Sequence, residues 1–359
     1  MLTHDEVLES LHDLFPSNPN HPQDGGVTLV ARYSNANVQL PSRRAHIFIP
    51  DWHLLNQEDA RAYPKYHFVQ HVDLRSFLDR LRQLKAGRRG ELTVWHLGDL
   101  FDVWRARGGR SAKEEVDEIA AQYGPIIDLL MSPPPDGCRA EVLAGNHDYV
   151  LHTLQEWRAP RFRIISDDDP AGGDALILHG DVFSWVERTF PDDLQAAAVR
   201  LATWVSSGQH GLHQEDGDIV AAVNRNLKTG DQAIGMAKAQ LFGGRPPAGI
   251  GVDAAINVID GDHGNENAPN KEFYAAAKAL ALELKKHGHN IRVVVIGHTH
   301  WARLVAGDRG DGDPFVLMDC GAWFGQCRLG SGEPWIWSAQ IGVMIQDDLR
   351  LYQLGWREA

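Results

Sequence analysis

The stretch IRVVVIGHTH, residues 291–300, places two histidines directly after a run of aliphatic and β-branched residues. Such a run is typical of a buried strand, and the glycine that follows it predicts a turn. Four earlier stretches repeat this pattern of an apolar run that ends in polar residues: AHIFIPDWH (45–53), ELTVWHLGD (91–99), EVLAGNHD (141–148) and DALILHGD (174–181). The sequence therefore predicts several buried strands, each ending in side chains able to bind a ligand.

Helical patterning separates the first three of these runs, in FVQHVDLRSFLDRLRQLKAG (68–87) and SAKEEVDEIAAQYGPIIDLLM (111–131). The second segment opens with Ser111 and Glu114, which have the spacing of a capping box. Strands that alternate with helices predict an α/β fold in which helices pack outside a sheet. After residue 300, strand-like runs follow one another with few helices. This change indicates either a second sheet or an extension of the first.

Residues 183–290 break the alternation. They combine helix-like pieces with a loop rich in Gly, Pro, Asp and Asn. We interpret 183–290 as a mostly helical insertion or cap, 45–182 and 291–359 as the core, and 1–44 as an N-terminal extension. A chain of 359 residues is long enough for one large core with such an insertion.

The composition narrows the class of protein. The formal net charge is −13, which argues against a nucleic-acid-binding protein, because such a protein needs a broad basic surface. Three scattered cysteines do not form a disulfide framework, and no apolar run approaches the ~20 residues that span a bilayer. The N-terminal residues carry a Thr3–Glu6 capping box instead of a secretion signal. We therefore expect a cytoplasmic protein without a membrane span. Peripheral membrane attachment and the oligomeric state stay open.

The polar residues at the strand ends have the chemistry of metal ligands. Open α/β sheets bind ligands at the carboxyl ends of their strands. The five runs place carboxylates, imidazoles and one amide there, namely Asp51, His53, Asp99, Asp102, Asn146, His147, Asp148, His179, His298 and His300. Oxygen and imidazole donors with almost no sulfur suit divalent Mn, Fe, Zn or Co.

The spacing of these donors predicts how they share ions. Asp51 and His53 are two residues apart, as are His298 and His300. Residues i and i+2 of a strand project from the same side, so each pair is able to reach one ion. A turn after the strand would instead direct His298 and His300 to two neighbouring ions. Two ions about 3.5–4 Å apart need a bridging ligand, and the Asp99 carboxylate has two oxygens for that role.

The blocks DWH, GDLFD, GNHD, HGD and GHTH, in this order, resemble the five signature blocks of the calcineurin-like metallophosphoesterase superfamily. The resemblance spans residues 51–300, most of the chain. It implies a four-layer sandwich, in which two packed mixed β-sheets are flanked by helices on both outer sides.

The same resemblance implies a binuclear metal centre and a hydrolase. Carried over position by position, it gives the first ion to Asp51, His53 and His300, the second to Asn146, His179 and His298, and the bridge to Asp99. A metal-bridging hydroxide would attack a phosphoester or pyrophosphate bond. His147 would act as general acid, with Asp102 orienting its ring, while Asp148 fixes the turn.

The sequence is less specific about the substrate. Protein phosphatases of the superfamily carry Arg where this chain has Val103, so that class is disfavoured. The blocks GDLFDVW, HGD and DCGAW are similar to the bacterial UDP-2,3-diacylglucosamine diphosphatases. Those enzymes often have Arg at the position of His147, however, and a smaller insertion. We predict a phosphorylated organic substrate with a phosphodiester or nucleotide-type pyrophosphate bond. The alternatives are a phosphomonoesterase and a non-catalytic, metal-binding interaction scaffold.

A basic segment follows the GDLFD block. VWRARGGRSAKEE (103–115) carries Arg105, Arg107 and Arg110 just before the predicted helix. Guanidinium groups and a helix N-terminus both suit a substrate phosphate. The other interpretation is a solvated basic loop.

Two histidines precede the blocks and are assigned no chemical role. His46 and His96 lie inside predicted strands. We expect hydrogen-bonded, partly buried imidazoles at both positions.

Overall fold

The structure, a computed structural model, places two mixed β-sheets face to face. It describes residues 2–12, 14, 17–18, 21–34, 44–57, 74–87, 92–104, 110–166, 173–183, 258–260, 271–300, 302–323, 325–326 and 336–358. The predicted α/β fold is confirmed.

The described strands range from two to eleven residues in length. Those before residue 183 are β1 (Ser17–Asn18), β2 (His21–Gly25), β3 (Val27–Ser34), β4 (Ala45–Ile49), β5 (Leu92–His96), β6 (Glu141–Val142), β7 (Phe162–Ile165) and β8 (Asp174–Leu178). The later ones are β9 (Val258–Asp260), β10 (Ile291–Ile296), β11 (Ala302–Asp308), β12 (Pro314–Cys320), β13 (Gly325–Gln326), β14 (Ile336–Ile345) and β15 (Asp348–Glu358).

The described strands form two main sheets and a small ribbon of β1 and β2. The first sheet has the order β3-β15-β14-β4-β5-β6, with β13 beside β14. Its strands β4, β5 and β6 are parallel, and the other pairs are antiparallel. The second sheet has the order β7-β8-β10-β12-β11-β9. Its strands β8, β10 and β12 are parallel. The strands that end in the polar blocks are therefore parallel neighbours within each sheet.

Helices cover the outer faces of both sheets. They are α1 (His4–His12), α2 (Leu74–Ala86), α3 (Ala112–Gln122), α4 (Gly124–Met131) and α5 (Lys271–Lys286). The Ser111–Glu114 capping box is present at the start of α3. Thr3 and Glu6 likewise exchange hydrogen bonds at the start of α1. None of the described helices is long and apolar enough to cross a membrane.

Strand alternation divides the core into layers. Val293 and Val295 of β10 face the first sheet, where they join the buried cluster that contains Phe48. Their neighbours Val294 and Ile296 point the other way and pack under α5. Each fully buried aliphatic side chain contributes about 1.5–3 kcal/mol through removal of apolar surface from water. The two-residue period of β10 thus fixes its register between a sheet and a helix.

Described parts of the predicted extension and insertion belong to this sandwich. Strand β3 pairs with β15 at the edge of the first sheet, and β9 pairs with β11 at the edge of the second. Helix α5 buries Phe273, Ala277 and Ala281 against the second sheet. The apolar face of the helix thereby covers the outer face of that sheet. The predicted helical cap otherwise falls on 184–257 and 261–270, which lie outside the described residues.

Candidate metal centre

The polar blocks meet at one edge of the sandwich, where turns carry the donor side chains beyond the strands. β4 ends at Ile49, two residues before Asp51, and β10 ends at Ile296, two before His298. Four non-glycine residues in these turns have positive φ: His53 (49°), Asp99 (51°), His298 (67°) and His300 (63°). Such conformations are unfavourable for residues with a Cβ and cluster at functional sites.

Strand alternation was the reason for pairing Asp51 with His53 and His298 with His300, but these residues lie in turns. Asp51 and His53 do approach each other, with Oδ2 and Nε2 3.9 Å apart. They are not adjacent strand positions on one face, however, because the chain has already left β4. His298 and His300 are separated by their turn and join different groups of donors. The turn, and not strand alternation, sets the direction of all four side chains.

The first group of donors consists of Asp51, His53 and His300. Nε2 of His53 lies 3.2 Å from Nε2 of His300, and the latter nitrogen lies 3.1 Å from Oδ2 of Asp51. Two ligands that each lie about 2.1 Å from one ion are separated by roughly 3.0–3.4 Å at square or tetrahedral angles. Two of the three distances between these atoms fit a shared ion at such angles, and the third, 3.9 Å between Oδ2 of Asp51 and Nε2 of His53, requires a wider angle at the ion.

The second group consists of Asp99, His179 and His298, and Asn146 joins it. The Asn146 side-chain oxygen lies 2.9 Å from Nε2 of His179 and 3.2 Å from Nδ1 of His298. Those two nitrogens are 3.2 Å apart. The other ring nitrogen of His179 is 3.1 Å from the carbonyl oxygen of Leu97, which orients the imidazole in the manner of a ligand histidine. These donors also have the spacing of a shared ion.

Asp99, a member of the second group, also faces the first group. Its Oδ2 is 3.7 Å from Nε2 of His53 in the first group and 3.2 Å from Nε2 of His179 in the second. Its Oδ1 accepts a hydrogen bond from the backbone N–H of His147 at 2.9 Å. A single carboxylate oxygen therefore faces both groups, while the other oxygen holds the GNHD turn.

His147 is buried beside these groups, forms a third set of possible donors with His53 and Asp102, and has three close neighbours. Nδ1 of His147 lies 2.8 Å from Oδ1 of Asp102. The Trp104 ring packs on one side of the imidazole, at 4.4 Å between centroids and 30° between planes. The His53 ring contacts it edge-on at 4.6 Å. Trp104 was not predicted from the sequence as a site residue, although it lies only two residues after the predicted site residue Asp102.

Charges within the centre shift the pKa values of its members. Burial by itself lowers the pKa of His179, but the carboxylates of Asp99 and Asp51 outweigh it and raise that pKa to about 10. Burial lowers the pKa of His298 to about 3 and that of His300 to about 4. Burial raises the pKa of the Asp51 and Asp99 carboxyl groups, but nearby histidines, led by His179, bring each pKa below its usual value. Ionised carboxylates and neutral imidazoles are the forms that bind metal ions, so the shifts at Asp51, Asp99, His298 and His300 favour binding, whereas His179 would release a proton when an ion binds.

Asp148 holds the GNHD turn, as predicted for this residue. Its Oδ1 accepts from the backbone N–H of Gly145 at 2.7 Å, and its Oδ2 accepts from the N–H groups of Leu100 and Phe101 at 2.7 and 3.2 Å. The pKa of Asp148 is raised to about 7, chiefly by burial and then by the Asp99 charge. The carboxylate thus ties the third block to the second.

The structure does not join Arg110 to the metal centre. Its guanidinium forms an ion pair with Glu118 and lies 3.7 Å from Glu115, both on α3. Arg105 and Arg107 lie outside the described residues. A different arginine, Arg161, donates to the carbonyl of Gly145 at 3.1 Å and pairs with Asp181. No sequence motif pointed to Arg161, because it lies outside every block.

The two strand histidines differ from each other. His46 is buried, and its Nδ1 accepts a hydrogen bond from the Trp95 indole at 3.1 Å. His96 is fully buried, but neither ring nitrogen has a hydrogen-bond partner among the described residues. Its ring instead packs edge-on against Trp52 at 4.9 Å. The expected hydrogen bond is therefore present at His46 and absent at His96.

Comparison with known proteins adds no family assignment, since no protein-family model and no curated protein matches the chain.

Proposed function

We propose that this protein is a calcineurin-like metallophosphoesterase that uses two divalent metal ions to hydrolyse a phosphoester or pyrophosphate bond. The observation that carries the proposal is the position of Asp99, whose Oδ2 lies 3.7 Å from His53 of one donor group and 3.2 Å from His179 of the other. A carboxylate that faces two groups of donors would be able to bind an ion held by each of them.

Each of the two proposed ions has its own set of donors, and one donor is shared. The first ion would be held by Asp51, His53 and His300, the second by Asn146, His179 and His298, and both by Asp99. When bound, the ions supply an activated water nucleophile and neutralise charge on the phosphoryl oxygens. Oxygen and imidazole donors fit Mn, Fe, Zn or Co.

His147 is the residue that we assign to proton transfer. Asp102 fixes Nδ1 of its ring and Trp104 fixes the plane of the ring. Nε2 is then the nitrogen able to donate a proton to the oxygen of the leaving group. A positioned general acid of this kind contributes about 10²–10⁴-fold to a rate.

The substrate class rests on the sequence. Val103 follows Asp102 where protein phosphatases carry Arg, which disfavours a phosphoprotein. A long segment between the HGD and GHTH blocks favours a larger organic substrate, because additional residues could contact parts of the substrate away from the reacting bond and so supply binding energy. We therefore propose a phosphodiester or a nucleotide-type pyrophosphate.

The test is a metal-reconstituted activity screen of the full chain. Chelator-treated protein is loaded separately with Mn, Fe, Zn or Co, and bound metal is measured by elemental analysis. Hydrolysis of p-nitrophenyl phosphate, bis(p-nitrophenyl) phosphate and a nucleotide diphosphate sugar is then compared. We expect two ions per chain and faster turnover of the diester or the pyrophosphate.

Each other outcome overturns a defined part of the proposal. Faster monoester hydrolysis would replace the substrate class by a phosphomonoesterase. Two bound ions without turnover of any substrate would indicate a metal-binding scaffold. Failure to bind metal would overturn the whole proposal. Asp99→Asn is the matched negative control, because it leaves the size of the bridging side chain unchanged but removes its charge.

A further inference from the structure

We infer that Asp319 is a positioning residue for both metal ions, because it fixes through Thr299 the turn that carries one histidine of each donor group. This inference rests on the proposed binuclear site. It assigns a role to the DCGAW segment, which the proposed chemistry does not use.

The topology places Asp319 beneath the turn. β12 lies between β10 and β11 in the second sheet. On one side Asp319 pairs in register with Ile296, the last residue of β10. On the other side it pairs with Arg303, near the start of β11. The connection from β10 to β11 therefore crosses the end of β12 at Asp319.

Thr299 makes the contact between the turn and the strand. Its hydroxyl donates a hydrogen bond to Oδ2 of Asp319, whose side chain is fully buried. The other oxygen, Oδ1, accepts from the backbone N–H of Gly321 at 3.3 Å. Nε of Arg303 lies 3.8 Å from Oδ2, and this cation offsets the buried charge. Asp319 is thus fixed from three sides.

The turn needs such an anchor because its backbone is unfavourable. His298 and His300, on either side of Thr299, have φ of 67° and 63°, and the Thr299 N–H closes a tight turn on the carbonyl of Gly297 at 2.7 Å. Conformations of this kind are strained and persist only when the surrounding structure holds them. Asp51 holds the turn from one side, since it accepts from the His298 N–H at 3.1 Å.

One anchor therefore controls two sites. His298 belongs to the group with Asp99 and His179, whereas His300 belongs to the group with Asp51 and His53. Release of Thr299 from Asp319 would misplace both imidazoles at once. Loss of a residue that orients metal ligands typically weakens metal affinity about 10–100-fold.

The test compares metal binding by variants of the full chain, of which three alter the contact between Thr299 and Asp319. Thr299→Val keeps the shape of the side chain and removes the hydroxyl, and Thr299→Ser restores the hydroxyl. Asp319→Asn changes the acceptor instead of the donor. Titration of chelator-treated protein with Mn²⁺ and Zn²⁺ gives the affinity of each site, and thermal melting without metal reports the stability of the fold.

We expect Thr299→Val and Asp319→Asn to weaken both sites about 10–100-fold, and Thr299→Ser to recover most of the affinity. His300→Ala, by contrast, should weaken one site only. The control Thr153→Val removes an exposed hydroxyl that donates to the carbonyl of Val150, and it should leave metal binding unchanged.

Two results would overturn the inference. Wild-type affinity for both ions in Thr299→Val would show that the anchor is dispensable. A general structural role would be shown by two results together. The affinity lost in Thr299→Val would not return in Thr299→Ser, and the metal-free melting temperature would fall by the same amount in both variants. If the wild-type chain itself binds no metal, the proposed function fails instead, and the two failures are thereby distinguished.

Discussion

Nδ1 of His147 lies 2.8 Å from a carboxylate oxygen of Asp102, and both side chains are buried. This contact fixes which ring nitrogen of His147 faces the carboxylate and which is left for a substrate. The same carboxylate has a second neighbour, since its Oδ2 lies 3.4 Å from Nδ1 of His53. Asp102 therefore connects the proposed acid with a proposed ligand of the first ion.

Replacement of His147 should separate proton transfer from metal binding. We expect His147→Asn to lower kcat by about 10²–10⁴-fold, because the variant has no proton donor at the leaving group. Metal content should match that of the wild type, since neither proposed ion uses His147. Elemental analysis and steady-state kinetics on one preparation check both statements. A variant that loses an ion together with activity would identify His147 as a ligand.

Replacement of Asp102 should affect both properties. In Asp102→Asn the side chain no longer carries the charge that orients His147 and faces His53. We expect a lower kcat and about 10–100-fold weaker affinity at one ion, with the second ion unaffected. Metal titration of Asp102→Asn beside His147→Asn distinguishes the two residues. Equal metal affinity in the two variants would limit Asp102 to the orientation of His147.

The glycine before Asn146 lies directly against the Asp99 carboxylate. A Cβ at Gly145 would overlap Oδ1 of Asp99. We expect Gly145→Ala to displace Asp99, to lower occupancy of both ions, and to abolish activity. Gly124→Ala is the matched control, because a Cβ there meets nothing within 4 Å and alanine favours the helix that begins at this residue. Metal analysis of both variants provides the measurement, and a fully loaded Gly145→Ala protein would contradict the expectation.

A buried histidine away from the metal centre should make stability depend on pH. Burial, followed by the Arg44 charge, lowers the pKa of His46 from 6.5 to about 4. The folded protein therefore keeps His46 neutral while the unfolded chain binds a proton below about 6.5. The contribution of His46 is complete above pH 6.5 and is lost as the pH falls toward 4, by on the order of 3 kcal/mol.

The measurement is urea unfolding at several pH values between 7 and 4. His46→Gln offers the Trp95 indole an acceptor that does not titrate. We expect its free energy of unfolding to fall less steeply with decreasing pH than that of the wild type. Parallel pH profiles for the two proteins would show that His46 does not contribute this dependence.

The sequence located the donors because each block follows an apolar run. The order of strands and polar turns is local information, and the two-residue period of β10 is visible in its letters. The capping boxes at Thr3 and Ser111 were equally accessible, since their partners lie three residues away. Contacts of this kind need no knowledge of which strands become neighbours.

Other features depended on the arrangement of the sheets. The single oxygen of Asp99 that faces both donor groups, the ion pair between Arg110 and Glu118, and the packing of α5 on the second sheet could not be predicted from spacing. Each joins elements whose relative position follows from the packing of the whole core. The sequence left Arg110 either as a phosphate ligand or as part of a solvated basic loop, and its ion pair with Glu118, eight residues further along the chain, forms only once α3 has formed.

The chemistry of this centre can be predicted from the sequence, which places carboxylate, imidazole and amide donors at the ends of buried strands. The division of these donors into groups depends on the folded chain, because positive φ at His298 and His300 directs their side chains to different groups. That backbone is held by Asp319, twenty residues beyond Thr299 in the chain and one strand away in the sheet. Donor identity is a property of single residues, whereas donor direction is a property of turns that distant strands hold in place.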